Sequence, residues 1–385
     1  MSTRSLHTLP SELIYEILDH LDEVTIFLSC RNVCARLNAI TDYYRRYQKL
    51  KTLNLSYQRL DSHGVQRLVA ALPQNKTLLS LYLQGNRIDS QGIRDIINTL
   101  IQNTTLTTLN LESNGIGHQE AKYLANFLQR NRALTTLYLT NNKLSDEGTQ
   151  HLANALVQNQ TLTTIDLQGN EISDVGIRYL ADALQNNKIL VRLYLQNNRI
   201  GRLGGQYLAD ALKTNRTLTV IHLSHNKLEQ QGTQYFARAL QQNETIVTLD
   251  LQHNQIGDQG ILHLAKAIEG NKTLNALYLQ DNQIGHAGAQ YLADALRMNK
   301  TLTILGLQNN RIGDSGADYL ADALKRNKTL IALYLCDNNI SIRGEHYLLY
   351  GLQKNTTLTV LDMRNNHVTN DVQKLMKTIL ERNMH

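Results

Sequence analysis

The chain has 385 residues, 42% of them hydrophobic, with no Trp and a formal net charge of +6. No apolar run approaches the length needed to span a bilayer, and Met1–His7 contains no signal-peptide core, so a soluble protein of the cytoplasm or nucleus is expected. Three cysteines, Cys30, Cys34 and Cys336, make no spaced framework and suit a reducing compartment.

Residues 1–49 hold six basic and six acidic side chains, so the positive excess lies further on. Leu9-Pro10-Ser11-Glu12-Leu13 predicts a helix start, with Pro tolerated in the first turn. Leu13, Ile14, Ile17, Leu18 and Leu21 continue its apolar stripe. Val24 to Leu28 predict a second short helix, and Val33, Cys34, Leu37 and Ile40 a third. Three helices in so short a stretch make a small module, or a cap for the chain beyond residue 49.

From Leu50 onward the sequence repeats. Asn86, Asn114, Asn142 and every twenty-eighth residue to Asn366 are asparagine, each closing an L-x-x-L-x-L-x-x-N phrase. Gln58 takes that place one repeat earlier, which makes twelve repeats. Such a period specifies a solenoid rather than two or three globular domains.

In residues 274–301, Leu277-Tyr278-Leu279 alternates as a short strand, with Leu274, Leu277, Leu279 and Ile284 facing the core. Asn282 is expected to satisfy backbone groups at the strand end, in a ladder of stacked asparagines. Gly285 and Gly288 are expected in the following turn. A helix is expected through residues 290–296, closed by Asn299 in the left-handed cap conformation. Strands joined by helical crossovers form a parallel sheet. The expected fold is an α/β horseshoe with a concave sheet and convex helices.

Nine Asn-x-Thr triplets, from Asn75 to Asn355, have the form of glycosylation acceptors. Their recurrence at the helix–strand junctions favours a structural role. Loop charges such as Arg87, Lys143, Arg199, Lys76 and Lys188 form stripes without a dense cluster, which speaks against nucleic acid as a partner.

Between the core leucines, a central column runs Asn54, Tyr82, Asn110, Tyr138, Asp166, Tyr194, His222, Asp250, Tyr278, Gly306, Tyr334, Asp362. Tyr alternates with a shorter residue, with one slip between Tyr194 and Tyr278, and each ring is expected to lean over its neighbour. The next column is rich in Gln, broken by Glu112, Cys336 and Arg364. Tyr-rich faces suit protein recognition, and the same columns are also what copying one repeat would produce. The candidate partner-binding residues are Tyr82, Glu112, Tyr138, Arg192, Tyr194, His222, His225, Asp250, His253, Tyr278, Tyr334 and Arg364. His222, His225, Asp250 and His253 together form a zinc-type donor set, but no orienting shell is legible, and no metal or other cofactor is assigned. No phosphate loop, nucleophile elbow or Cys–His pair is present, so no catalytic residue is assigned.

The phrase L-x-x-L-x-L-x-x-N-x-[IL], followed by L-A-x-A-L and N-x-T-L, resembles the ribonuclease-inhibitor-like class of leucine-rich repeats over residues 50–385. The opening L-P-x-E-L-x-x-E-I-L-x-x-L-D with N-V-C-x-R-L-N resembles an F-box over residues 9–47. It departs from that family at Leu37, where Trp is frequent. The resemblance implies an F-box module at 1–49, with Leu9, Pro10, Leu13, Ile17, Leu18, Val33 and Cys34 against a Skp-type adaptor of a cullin–RING ubiquitin ligase. The repeats at 50–385 would then hold an unknown protein substrate on the concave face. Alternatives are an inhibitory or ligand-sensing scaffold resembling ribonuclease inhibitor or an immune sensor, and a GTPase-activating protein resembling that of Ran. That last family commonly carries an acidic tail, whereas this chain ends Glu381-Arg382-Asn383-Met384-His385.

Overall fold

The computed structural model describes residues 9–21, 25, 49–73, 75–367 and 369–384. The chain divides into two compact units, Met1–Asn170 and Glu171–His385. The boundary expected at residue 49 lies inside the first.

The first unit opens on α1 (Ser11–Asp19), with Pro10 as its N-cap. The second and third helices expected before residue 49 lie outside the described residues. Then come β1 (Thr52–Asn54), α2 (Ser62–Ala71), β2 (Ser80–Tyr82), α3 (Ser90–Leu100), β3 (Thr108–Asn110), α4 (His118–Arg130), β4 (Thr136–Tyr138), α5 (Ser145–Gln158) and β5 (Thr164–Asp166). Strands β1 to β5 pair in chain order, all parallel.

The second unit continues the alternation. It holds α6 (Asp174–Asn186), β6 (Arg192–Tyr194), α7 (Arg202–Leu212), β7 (Val220–His222), α8 (Glu229–Leu240), β8 (Thr248–Asp250) and α9 (Gly257–Gly270). After these come β9 (Ala276–Tyr278), α10 (His286–Met298), β10 (Ile304–Gly306), α11 (Gly313–Arg326), β11 (Ala332–Tyr334), α12 (Ile342–Lys354), β12 (Val360–Asp362) and α13 (Asn370–Arg382). Its strands are parallel and sequential too. The expected architecture is present: twelve parallel strands alternating with helices, as in leucine-rich-repeat solenoids.

Leu274, Leu277, Leu279 and Ile284 are fully buried, and Leu292, Ala293 and Leu296 meet them from α10. The strand-end asparagine works as expected. Asn282 Nδ2 donates to the carbonyls of Leu251 (2.8 Å) and Gln280 (3.0 Å). Its Oδ1 accepts from the amides of Asn254 (2.9 Å) and Ile256 (3.4 Å). Asn142 does the same in the first unit. Gln58 does not join; its amide turns back to the Ser56 carbonyl, and Asn86 is the first asparagine rung.

Two expectations need correction. Asn299 is extended (φ −68°, ψ 138°), not left-handed. It forms a second ladder instead: Nδ2 donates to the Ile268 carbonyl (2.7 Å), and Oδ1 accepts from the amides of Thr301 (3.0 Å) and Leu302 (2.8 Å). The left-handed position is the residue before the strand-end asparagine, including Asn141, His225, His253 and Asp281, where the chain turns off the sheet. Gly288 is not in a turn but inside α10, where a Cβ would stand 2.5 Å from Asp258 Oδ1 and 2.6 Å from Ile284 Cγ2. The second ladder also accounts for the Asn-x-Thr triplets: Asn215, Asn243, Asn299, Asn327 and Asn355 are buried with their amides engaged, so no glycan can be attached there.

Candidate protein-binding faces

Helix α1 separates the residues expected to hold an adaptor. Leu13 is 43% exposed and Ile17 41%, side by side one turn apart, while Ile14 and Leu18 are buried. Pro10 is exposed and Leu9 half-buried. Leu18 therefore packs inward and is not a surface contact. Val33 and Cys34 lie outside the described residues.

The open face of the sheet carries the outward columns. In the first unit, Tyr82, Tyr138 and Glu112 are half-buried. Burial raises the Glu112 carboxyl above the usual carboxylate range, and the negative charge of Asp166 adds to it. Asp166 received no special role from the sequence. It was visible as the acid of the central column, but its effect on Glu112, two strands away, was not.

In the second unit, Arg192, His225, His253 and Arg364 are exposed, and Tyr194, His222, Tyr278 and Tyr334 half-buried. His222 pairs in register with Asp250, and Nδ1 lies 3.5 Å from Asp250 Oδ2. Asp250 is only 4% exposed, so it stands beside His222 as a buried neighbour and offers little surface to a partner. The Tyr194 ring meets His222 edge-on at 5.0 Å, as the leaning expectation requires. At Gly306 the expectation fails, because the space a Cβ would fill is taken by the amide of Gln280, not by a tyrosine.

His225 and His253 stack face to face, ring centroids 4.0 Å apart. Burial lowers the His225 pKa, and the neighbouring His253 lowers it further. His253 Nε2 contacts Asp281 Oδ2 at 2.9 Å. The four donors thus resolve into the His222–Asp250 pair and the His225–His253 stack, and among the described residues no group of three or more donors can hold a metal. Asp281 was missed because it stands in the turn column, outside the strand columns that alternation picks out. His253 and Asp281 line a polar cavity of about 460 Å³ with Arg311 and Asp337. Arg364 is clamped to Asp362 by two hydrogen bonds, 2.9 and 2.7 Å.

Comparison with known families agrees with this geometry. A leucine-rich-repeat family model matches residues 74–96, 102–124, 130–153, 158–181, 299–321 and 354–371. The chain is built of leucine-rich repeats. Within them, residues 198–308 also match the model of the tropomodulin/leiomodin leucine-rich domain. No curated protein matches the chain at significance. Among solved structures, the Rad7–Elc1 complex of yeast aligns over 96% of this chain and 84% of that one, at 18% identity and a TM-score of 0.56. An internalin from Listeria monocytogenes aligns over 98% and 97%, at 18% identity and a TM-score of 0.50. Leiomodin-1 actin-binding site 2 aligns over 40% and 88%, at 23% identity and a TM-score of 0.37. These likenesses concern the fold. Among the described residues no helix is long and apolar enough to cross a membrane.

Proposed function

We propose that this leucine-rich-repeat protein is a substrate receptor of a Skp–cullin–F-box type ubiquitin ligase, acting in the cytoplasm or nucleus. The segment around α1 holds the adaptor, and the open sheet face holds a protein substrate. The chain performs no chemistry of its own; it raises the local concentration of substrate near the ligase. The observation that carries the reading is the exposed Leu13–Ile17 pair directly after Leu9-Pro10. Two large apolar side chains on one short helix are costly to leave in water, at about 25 cal/mol per Å² of apolar surface. That the Rad7 structure of similar fold was solved in complex with Elc1 supports an assembly of this general kind.

The test is a pull-down with a purified Skp adaptor. Wild-type chain is retained, and Leu13→Asp with Ile17→Asp reduces retention at least about tenfold, two buried anchors being worth more than about 1.4 kcal/mol together. Circular dichroism of the variant checks that the repeats stay folded. Failure of the wild-type chain to bind any Skp-type adaptor ends the ligase reading.

A further inference from the structure

The basic side chains at the helix-to-strand junctions of the second unit differ in what they touch. Lys188 Nζ donates to the Gln185 carbonyl (3.0 Å) and Arg216 Nη1 to the Lys213 carbonyl (2.9 Å), so both meet the negative end of the preceding helix. Lys272, Lys300 and Lys328 hold the same place in later repeats and do not. Each is exposed and has no hydrogen-bond or ion-pair partner among the described residues. Arg326, the last residue of α11, is likewise exposed and unpaired.

Register stacks these cations in one row. Each lysine stands four residues before Ala276, Ile304 or Ala332, and those three pair in parallel on β9, β10 and β11. The lysines therefore start about 5 Å apart at the sheet and spread toward the roughly 8–10 Å spacing of packed helices. The neighbouring acids of α10 and α11 are engaged. Arg297 pairs with both Asp294 and Asp322, and Asp322 also meets Lys325 at 3.3 Å. Glu269, near the end of α9, borders the row, and Glu244 holds the same column one repeat before Lys272. At the other side Lys354, the last residue of α12, lies with Lys325 over the exposed Tyr350 ring, 5.0 and 4.6 Å from its centroid.

We infer that this row binds an acidic, extended protein segment, with one carboxylate against each of Lys272, Lys300 and Lys328 and a further one at Arg326. Alternate residues of an extended chain stand about 7 Å apart, within the spread of the row, so Asp or Glu at every second position meets successive lysines. Unpaired cations in a row repel one another, and a bound polyanion relieves that repulsion. A single-stranded nucleic acid fits less well. Its bases need open aromatic faces, and Tyr350 already lies against two ammonium groups. The row uses neither α1 nor the open sheet face, so it stands apart from the ligase reading.

The experiment titrates the full chain into a fluorescein-labelled octapeptide of alternating Glu and Gly, its Gln/Gly counterpart and a labelled oligothymidylate of equal charge, at low and physiological salt. The Glu peptide binds about tenfold or more tighter than the Gln peptide, and weakens as salt rises. Lys300→Gln, Arg326→Gln and Lys328→Gln together remove that preference. Lys76→Gln, Arg132→Gln and Lys143→Gln take the same charge from the first unit and leave it. Charge reversal in the row (Lys300→Glu, Arg326→Glu, Lys328→Glu) turns the preference to a Lys/Gly octapeptide, which a merely unfolded variant would not do. Equal binding of the Glu and Gln peptides, equal loss in the two Gln triples, or no reversal each overturns the inference. Tighter binding of the oligothymidylate than of the Glu peptide overturns the acidic protein partner in favour of nucleic acid.

Discussion

The two units share one backbone scheme and differ in what stands beside the acids of the sheet face. In the second unit, Asp250 faces His222, Asp281 faces His253, Asp362 is clamped by Arg364, and Asp337 accepts from Asn365 Nδ2. In the first, Glu112 faces Asp166 across a tyrosine and meets no base among the described residues. A repeat protein can thus hold its frame constant while the neighbours of its surface acids change. The difference lies in a few off-consensus side chains, not in the fold.

The largest expected effect tests the constant part. Asn142→Ala in the first unit and Asn282→Ala in the second each remove an amide bonded to two carbonyls and two amides. Each orphaned buried group costs about 1–3 kcal/mol, so urea midpoints should fall by a similar, large amount for both. A strong effect in one unit alone would show that the frames are not equivalent.

Next comes Glu345, fully buried in α12, whose two carboxylate oxygens accept from the Thr369 amide at 3.0 Å each, with the Thr369 hydroxyl also 3.0 Å from Oε2. Glu345→Ala leaves the start of α13 without its anchor and should cost about 3 kcal/mol. Faster amide exchange confined to α13 would report it; unchanged exchange there would refute the anchoring role.

The smallest effect is a pair of opposite pH dependences. Burial alone would raise the Asp314 carboxyl, but hydrogen bonds from the Ser341 hydroxyl and from the Ser341 and Gly344 amides outweigh it and hold the group below its usual range. Its contribution is present above the unfolded value of about 3.9 and is lost as pH falls through the folded one. Glu112 is raised, so the sign reverses: it destabilises at neutral pH, and that cost disappears on acidification through its folded value and is gone below about 4.3. Asp314→Asn should therefore lower, and Glu112→Gln raise, the neutral-pH midpoint. Both differences should vanish in acid, and both should be well under about 1 kcal/mol because solvent screens the groups. Shifts of the same sign would remove the contrast between the units.

Much of the frame was legible because each consensus residue has a local reason. The leucines and isoleucines recur where alternation points them inward, and Asn282 sits where a strand end leaves backbone groups to satisfy. The errors came where two residue types could serve one bend. Asn299 and Gly288 looked like turn-makers, but Asn299 is an extended bridge to the preceding repeat and Gly288 a point of close helix contact. Half the adaptor stripe was separable only by burial: Leu13 and Ile17 face out, Leu18 in.

The 28-residue period was enough to specify the rack of parallel strands and helices, since every rung repeats the same short-range packing and hydrogen bonding. Which carboxylate finds a base was decided in three dimensions. Asp362 finds Arg364 two residues away, whereas the neighbour of Asp281 is His253, 28 positions back, and that of Glu112 is Asp166, 54 ahead. Charge pairing depends on distance across strands and on burial, and neither is written in the period.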